Sequence, residues 1–209
     1  MRVIAIDGPA GSGKSTVARA LAERLGLRYL DTGAMYRAVA FAALRADVDP
    51  EDADHVGALA AKLAIEVSDR VVVDGVDATV EIRGPEVTRA VSVVAANPAV
   101  RAELRARQRE WADANDGGVI EGRDIGTIVF PDADLKVYLT ADPDARAARR
   151  AKEVSDLSYE TVAADIARRD ALDQGREHNP LVEAPDAVVV DTTDKSIDEV
   201  VDEVLARLR

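Results

Sequence analysis

The chain has 209 residues, and its 39 acidic side chains outnumber its 27 basic ones, which gives a formal net charge of −12. This balance argues against a nucleic-acid binder, because affinity for a phosphate backbone needs a clustered basic face. It also disfavours binding to an anionic membrane surface. The sequence contains no cysteine, which excludes disulfides, thiolate zinc sites and cysteine nucleophiles.

The length and the apolar content of 47% predict one α/β domain of ordinary size, and we expect a monomer. No stretch approaches a membrane span of about 20 apolar residues. The first apolar run meets Asp7 and Gly8 before it reaches the length of a signal peptide, so we expect a cytoplasmic protein. Arginine provides 22 of the basic side chains. Because arginine binds phosphate through two parallel donors, this excess indicates either a phosphate site or a coding bias.

The first elements in chain order are a strand, a glycine-rich loop and a helix. Residues 3–6 form an apolar, largely β-branched run that is typical of a strand buried in a parallel sheet. After the loop, apolar residues recur at helical spacing over 17–25, and Gly26 predicts a left-handed helix end. A short second strand is expected over 27–30, and a helix with an Asp-Thr cap over 31–44.

The apolar pattern changes its period between residues 64 and 84. β-branched residues cluster at 65–67, 71–73 and 80–82, and the pair Asp74–Gly75 separates the last two clusters. Such a pair between β-branched runs is a hairpin signal. We therefore predict a small antiparallel insert that ends at Gly84–Pro85.

The second half of the sequence alternates helices and buried strands. A helix is predicted over 99–114, where Val100, Leu104 and Trp111 share one face. An arginine stripe lies beside that face, formed by Arg101, Arg105 and Arg109. Parallel strands are expected at 119–120, 135–139 and 187–190, and helices at 144–173 and 197–208. The whole pattern predicts an α/β fold with about five parallel strands in its core sheet.

The glycine-rich loop matches the pattern G-x-x-x-x-G-K-[ST] in full, through Gly8, Pro9, Ala10, Gly11, Ser12, Gly13, Lys14 and Ser15. At average glycine frequency this pattern arises by chance in roughly one chain of this length in a hundred. In such loops backbone N–H groups surround the β-phosphate, the lysine reaches the β and γ oxygens, and the final hydroxyl can ligate Mg²⁺. We predict that this loop, with Thr16, binds ATP together with Mg²⁺ at Ser15. A glycine-rich turn with a solvated lysine is the alternative.

The fate of the bound phosphate is a separate question. The sequence has no Asn-Lys-x-Asp element, which a regulatory GTPase would need to read guanine, and no strand ending in Asp-Glu as in motor ATPases. The strand at 119–120 is followed instead by Glu121, Gly122, Arg123 and Asp124. Open α/β sheets bind ligands beyond the carboxyl ends of their strands, so this Arg-Asp pair suits an acceptor that carries another phosphate.

Three segments resemble the bacterial cytidylate kinases: 31–37 (DTGAMYR), 121–131 (EGRDIGTIVFP) and the stretch from Arg169–Asp170 to Asn179–Leu181. The similarity runs essentially end to end and includes the hairpin insert. It implies a P-loop NTPase three-layer fold with a nucleoside-monophosphate-binding insert at about 62–98 and a helical lid at about 144–173. The implied reaction converts ATP and CMP or dCMP into ADP and CDP or dCDP, with Mg²⁺.

The resemblance also assigns roles to individual residues. Arg37 and Arg123 would hold the acceptor phosphate and act with Lys14 as the catalytic set, assisted by Thr32, which keeps the hydroxyl of a serine, and by Arg176. The cytosine would be read by Ser92, Arg101 and Asp124, and the pentose by Arg169 and Asp173. Two lid arginines are assigned to ATP, Arg146 and Arg150. Asp31 is a candidate for orienting a magnesium-bound water.

Several alternatives stay open at the level of sequence. The arginine stripe of 99–114 is also typical of a solvated helix face. Surface ion pairs are likewise an alternative for the cluster of Arg146, Arg149 and Arg150. Trp111 is interpreted as core filling, and both His55 and His178 as surface residues. A P-loop kinase of another nucleotide or of shikimate, and a nucleotide-binding switch without transfer, remain competing functions. The preference among CMP, dCMP and UMP is left undecided.

Overall fold

The computed structural model describes residues 1–153, 158–177 and 179–208. The interpretation of His178 as a surface residue and part of the predicted lid lie outside the described residues. The chain forms two compact units, one made of Met1–Tyr29 with Asn115–Arg209 and the other of Leu30–Ala114. None of the helices in the described ranges is long and apolar enough to cross a bilayer.

The described residues form eight strands and eight α-helices. The strands are β1 (Arg2–Asp7), β2 (Tyr29–Asp31), β3 (Ile65–Val67), β4 (Val71–Val73), β5 (Val76–Asp77), β6 (Gly117–Glu121), β7 (Leu135–Thr140) and β8 (Val188–Asp191). The α-helices are α1 (Lys14–Leu25), α2 (Thr32–Arg45), α3 (Ala53–Ala60), α4 (Pro85–Ala96), α5 (Pro98–Ala114), α6 (Pro143–Glu153), α7 (Tyr159–Gln174) and α8 (Ile197–Leu205).

The first unit contains four whole strands, β6, β1, β7 and β8, of a five-stranded parallel sheet in the order β2-β6-β1-β7-β8. β1 lies between β6 and β7, with Ile4 opposite both Val119 and Leu135. Alternation along β1 directs Ile4 and Ile6 into a core that they share with Leu21 of α1 and with residues of α8. The predicted α/β class and the five-stranded parallel core are confirmed.

The end of α1 follows the sequence closely. Gly26 takes the left-handed conformation, with φ of 65°, and the N–H of Leu27 donates to the Ala22 carbonyl oxygen at 2.9 Å. Because Leu27 completes this helix end, β2 begins at Tyr29 rather than at residue 27 as predicted.

The second unit combines four helices with a three-stranded antiparallel sheet in the order β3-β4-β5. Asp31 caps α2 as predicted, accepting the Ala34 N–H at 2.9 Å. Asp74 and Gly75 both have positive φ and form the predicted hairpin turn. Asp52 caps α3 by accepting the His55 N–H at 3.1 Å, and His55 is exposed as predicted.

The strand predicted over 80–82 is wrong. Asp77 accepts hydrogen bonds from both the N–H and the hydroxyl of Thr79, a local turn that ends β5 after two residues. Val80 is therefore 78% exposed, whereas Ile82 is buried in a short 3₁₀ turn.

Helices α3 and α4 were missed by the sequence patterns. The valines of α4 favour a strand by local propensity. However, Val87, Ala90, Val91 and Val94 recur at helical spacing and are all buried, so burial of this face overrides the propensity.

Candidate active site

The phosphate loop connects β1 to α1 and lies tightly against its surroundings. A Cβ atom on Gly8 would stand 2.1 Å from the Leu139 carbonyl oxygen, so only glycine fits where the loop leaves the sheet. A Cβ on Gly11 would stand 2.9 Å from the Arg146 carbonyl oxygen. Gly13, with φ of 86°, precedes α1 and supplies no side-chain cap to its first N–H groups. The loop therefore has the backbone conformation and the helix N-terminus that anion binding requires.

Lys14 is folded back over this loop. Its ammonium group donates to the Pro9 carbonyl oxygen at 2.6 Å and lies 3.5 Å from the Ser12 hydroxyl oxygen. Burial and the charge of Arg123 lower the pKa of Lys14 to about 7, against the opposite effects of Glu121 and Asp7. Its charge therefore responds to any anion that enters the loop.

An ion pair from the predicted lid region binds the loop backbone directly. Asp170 of α7 accepts the Ala10 N–H at 3.1 Å and pairs with Arg146 of α6. Arg146 in turn donates to the carbonyl oxygens of Ala10 and Ala141, at 3.1 and 3.2 Å. The structure thus places Arg146 on the phosphate loop, where Arg146 binds the carbonyl oxygen of Ala10 and Asp170 binds its N–H group.

Arg149 of α6 faces the start of α1. Its guanidinium lies 3.9 Å from the position of a Cβ on Gly13 and donates to the Thr192 hydroxyl at 2.9 Å. The Thr192 hydroxyl oxygen also lies 3.1 Å from the Ser12 carbonyl oxygen. The sequence analysis missed Thr192, although its position directly after β8, at the carboxyl edge of the sheet, is a usable signal.

A second charged cluster lies beyond β6. Arg123 donates to Asp173 at 2.8 Å, and Arg176 donates to the other oxygen of the same carboxylate. Burial alone would raise the pKa of Asp173, but the charges of Arg123 and Arg176 outweigh it and lower that pKa. Burial, and next the charge of Arg123, lower the pKa of Arg169 to about 10. The structure therefore brings together four predicted acceptor residues of the first unit.

The remaining acceptor candidate of the first unit, Asp124, is 4% exposed and precedes a π-helical turn formed by Ile125–Val129. It follows Arg123 directly, so the pair stands where the sequence placed it, after the end of β6.

The second unit carries the other four acceptor candidates. Arg37 of α2 donates to the Ile82 carbonyl oxygen and to the Thr88 hydroxyl, both at 3.1 Å. Arg101 of α5 donates to the Ala95 carbonyl oxygen at 3.0 Å and lies 5.5 Å from the centre of the Tyr36 ring. Thr32 and Ser92 are buried.

Thr88 was missed by the sequence analysis. It lies one helical turn before Ser92 on α4, so the i, i+4 spacing of two hydroxyl side chains is the signal that could have found it. Asp31, the candidate for magnesium-bound water, lies 3.7 Å from Arg83 and serves as the cap of α2.

Comparison with known proteins decides the family. Residues 4–209 match the family model described as cytidylate kinase. The chain belongs to the cytidylate kinase family. It is 51% identical to the cytidylate kinase of Mycobacterium avium, over 96% of this chain and 92% of that protein. It is 48% identical to the cytidylate kinase of Desulfitobacterium hafniense, over 97% of this chain and 90% of that protein.

Solved structures support the fold of this cytidylate kinase family member. A gluconokinase from Sinorhizobium meliloti superposes with a TM-score of 0.53 at 15% identity, covering 99% of this chain and 91% of that one. At this level of identity the likeness concerns the fold alone. The resemblance drawn from the sequence motifs is confirmed by the family match.

Proposed function

We propose that this protein transfers the γ-phosphoryl group of ATP to CMP or dCMP, producing ADP and CDP or dCDP. The observation that carries the proposal is the match of residues 4–209 to the cytidylate kinase family. The phosphate loop of the same chain matches the pattern G-x-x-x-x-G-K-[ST] in full, and its glycines pack so closely that a Cβ atom at Gly8 or Gly11 would not fit. Membership of a kinase family implies phosphoryl transfer from ATP.

The donor phosphates would be held by the phosphate loop and Lys14. The loop is a cradle that a Cβ at Gly8 or Gly11 would fill, and it leads into the N-terminus of α1. The hydroxyl of Ser15, exposed in the first turn of α1, fits the oxygen ligand that such loops supply to Mg²⁺. The bound ion would neutralise charge on the β- and γ-phosphates.

The sequence resemblance assigns different residues to the different parts of the acceptor nucleotide. Its phosphate is assigned to Arg37 and Arg123 with Thr32 and Arg176 nearby. The cytosine is assigned to Ser92, Arg101 and Asp124, where a carboxylate can accept from the exocyclic amine and a guanidinium can donate to N3 or O2. The pentose hydroxyls are assigned to Arg169 and Asp173. The support for these assignments is the motif match and, for five of the residues, burial of the polar side chain: Thr32, Ser92, Arg101, Asp124 and Asp173.

Chemistry at this site is mainly a matter of position and charge. A phosphate oxygen of CMP attacks the γ-phosphorus while the bond to the bridging oxygen of the leaving ADP breaks. The attacking oxygen carries no proton when the phosphate is dianionic, so no general base is required. Lys14, Arg37 and Arg123 would offset the repulsion between two polyanions and stabilise the charge on the transferring group.

The predicted lid has a role in excluding water. Water competes with CMP for the γ-phosphoryl group, so helices that close over ATP would prevent hydrolysis. Arg146, Arg149 and Arg150 lie on α6, and the contacts of Arg146 and Arg149 with the phosphate loop region support this role. Asp31 is assigned a different task, which is to orient a water molecule bound to Mg²⁺.

The deciding experiment is an acceptor panel in a coupled assay of ADP release, with CMP, dCMP, UMP, AMP and shikimate. CMP or dCMP is expected to give the highest kcat/KM. A higher value for another acceptor would replace the proposed substrate, and ATP binding without stimulation by any acceptor would favour a nucleotide-binding switch. Light scattering on the same sample tests the accompanying proposal of a monomer, for which the mass of one chain is expected.

The assignment of Asp124 to the cytosine of the acceptor is tested separately. Asp124→Ala should reduce CMP turnover much more than ATP binding, whereas Asp132→Ala, an exposed carboxylate on the same segment, should change neither. Equal losses of CMP turnover and ATP binding in Asp124→Ala would contradict the assignment.

A further inference from the structure

Asp7, the last residue of β1, is a buried carboxylate that the proposed reaction does not use. It is 5% exposed, and its two oxygens accept separate backbone hydrogen bonds, from Ile125 N–H at 2.9 Å and from Gly126 N–H at 2.8 Å. These are the first two N–H groups of the π-helical turn that follows Asp124. Asp7 therefore caps a turn more than a hundred residues away in the sequence.

The cap is unusual because it comes from outside the turn. Asp124 occupies the N-cap position of the turn but makes no side-chain cap hydrogen bond there. Aspartate at such a position commonly caps its own helix through its carboxylate. Asp7 therefore supplies the cap that the side chain of Asp124 does not.

The turn is held on its other side as well. A Cβ on Gly126 would stand 3.1 Å from the Cγ and Cδ atoms of Lys136, so the backbone packs directly on that side chain. The ammonium group of Lys136 is bound by Asp186 at 2.8 and 2.9 Å. The turn thus lies between a carboxylate that binds its N–H groups and an anchored lysine stem.

Asp7 also adjoins the phosphate loop. Gly8 follows it in the chain and packs on the Leu139 carbonyl oxygen, while the Gly122 N–H donates to the Ile6 carbonyl oxygen at 2.9 Å. The backbone at the end of β1 is therefore fixed by both neighbouring strands. Any displacement of the turn relative to the phosphate loop must break or stretch the two hydrogen bonds to Asp7.

An ionised carboxylate at this position carries an energetic cost. Burial raises the pKa of Asp7 to about 6, and the charge of Asp124 adds to the rise, while the two N–H donors and Lys14 oppose it. Asparagine would fill the same volume without the charge, but its amide offers one acceptor atom and sets an NH₂ group against the second N–H. Only the carboxylate binds both N–H groups.

We propose that Asp7 is a positioning residue, which holds Asp124 and the adjoining Arg123 at a fixed distance from the phosphate loop and thereby aligns the acceptor nucleotide with the γ-phosphate. This inference rests on the proposed function. It assigns Asp7 no contact with either substrate, and its effect must therefore pass through the turn.

The first test compares CMP use with ATP binding. Asp7→Asn should lower kcat/KM for CMP by about 10- to 100-fold, since small misplacements of a reacting group have effects of this size. The dissociation constant of ATP should change by less than about threefold when it is measured by calorimetry at pH 6, where Lys14, with a pKa of about 7, is mostly charged. The matched control is Asp134→Asn, because Asp134 accepts the Val3 N–H at 2.7 Å near the opposite end of β1. It should leave both constants unchanged.

A double-mutant cycle separates positioning from a general structural role. If Asp7 acts through Asp124, the loss of CMP use caused by Asp7→Asn should be much smaller in the Asp124→Ala background. Additive losses, or an equal loss of ATP affinity, would overturn the inference. If Asp7→Asn does not fold, Gly126→Ala tests the same turn from the side of Lys136 and should show the same selective loss. Absence of CMP turnover in the unmodified protein would instead overturn the proposed function.

Discussion

The two units offer different oxygen atoms to several of the arginines predicted to form the site. In the first unit, Asp170 and Asp173 of α7 bind the guanidinium groups of three arginines. In the second unit, Arg37 and Arg101 donate to backbone carbonyl oxygens, and Arg37 donates also to the Thr88 hydroxyl. A carboxylate neutralises the charge that it positions, whereas a carbonyl or hydroxyl oxygen positions a guanidinium without adding charge.

This difference has a consequence for substrate binding. A phosphate that binds Arg123 must compete with a carboxylate already on that guanidinium, so binding involves an exchange of anions. The Thr88 hydroxyl and the Ile82 carbonyl oxygen, by contrast, bring no negative charge of their own to Arg37. Changes to the carboxylates of the first unit should therefore affect stability most, and changes to the neutral acceptors of the second unit should affect substrate binding.

The largest effect is expected from Asp173→Ala. The change leaves the guanidinium groups of Arg123 and Arg176 buried without their shared carboxylate, and breaking such a buried pair costs about 3–5 kcal/mol. Denaturant unfolding should report this loss. The control is Asp165→Ala on the same helix, since its exposed pair with Arg168 should contribute less than about 1 kcal/mol. Equal stabilities of the two variants would remove the distinction between the units.

Lys14→Ala should come next. It removes the only side-chain ammonium of the phosphate loop, and turnover should fall by about 10²-fold or more with any acceptor. Steady-state assays with CMP and dCMP measure this loss. A loss confined to one acceptor would contradict a role at the donor phosphates.

The pH dependence of ATP binding is expected to be smaller. Because the pKa of Lys14 in the free protein is lowered from 10.5 to about 7, the lysine loses its proton as the pH rises above 7. ATP favours the charged form and restores the proton, so ATP affinity should fall by up to about tenfold per pH unit above 7. Calorimetry at pH 8 in buffers of different ionisation enthalpy should detect proton uptake. Lys14→Met is the control and should abolish the uptake.

The smallest effect is expected from Thr88→Val. The substitution keeps the shape of the side chain and removes one neutral acceptor of Arg37, which is worth about 1 kcal/mol. The value of kcat/KM for CMP should fall by about fivefold, with little change in stability. A loss of stability as large as that of Asp173→Ala would contradict the comparison. It would show that the stability of the second unit depends on neutral hydrogen-bond acceptors as much as that of the first unit depends on carboxylates.

Sequence reasoning succeeded where the signal is local. The phosphate loop, the left-handed end at Gly26, the Asp31 cap and the Asp74–Gly75 turn each depend on a few neighbouring residues, and the structure contains all four. Alternation and helical spacing also predicted the strands of the five-stranded sheet within one or two residues at most ends.

The remaining features depend on contacts that no local pattern encodes. α4 is helical because its apolar face is buried, although its valines favour a strand. Arg146 binds the loop backbone through a pairing with Asp170, and Asp7 binds a turn beyond β6. The charge pattern indicated that α6 would supply arginines, but only the packed structure distinguishes their contacts. The catalytic and binding roles of the site residues stay predictions.

The second unit interrupts the sequence of the first unit only once. The second unit is one continuous segment, Leu30–Ala114, and the chain leaves and re-enters the first unit at neighbouring strands, where the Arg28 carbonyl oxygen accepts the Val119 N–H at 2.8 Å. A recombination event with endpoints at residues 29 and 115 would exchange the whole segment and leave the order of the remaining strands intact. The second unit is thus a stretch of chain that could be exchanged in one piece between two points of the sequence.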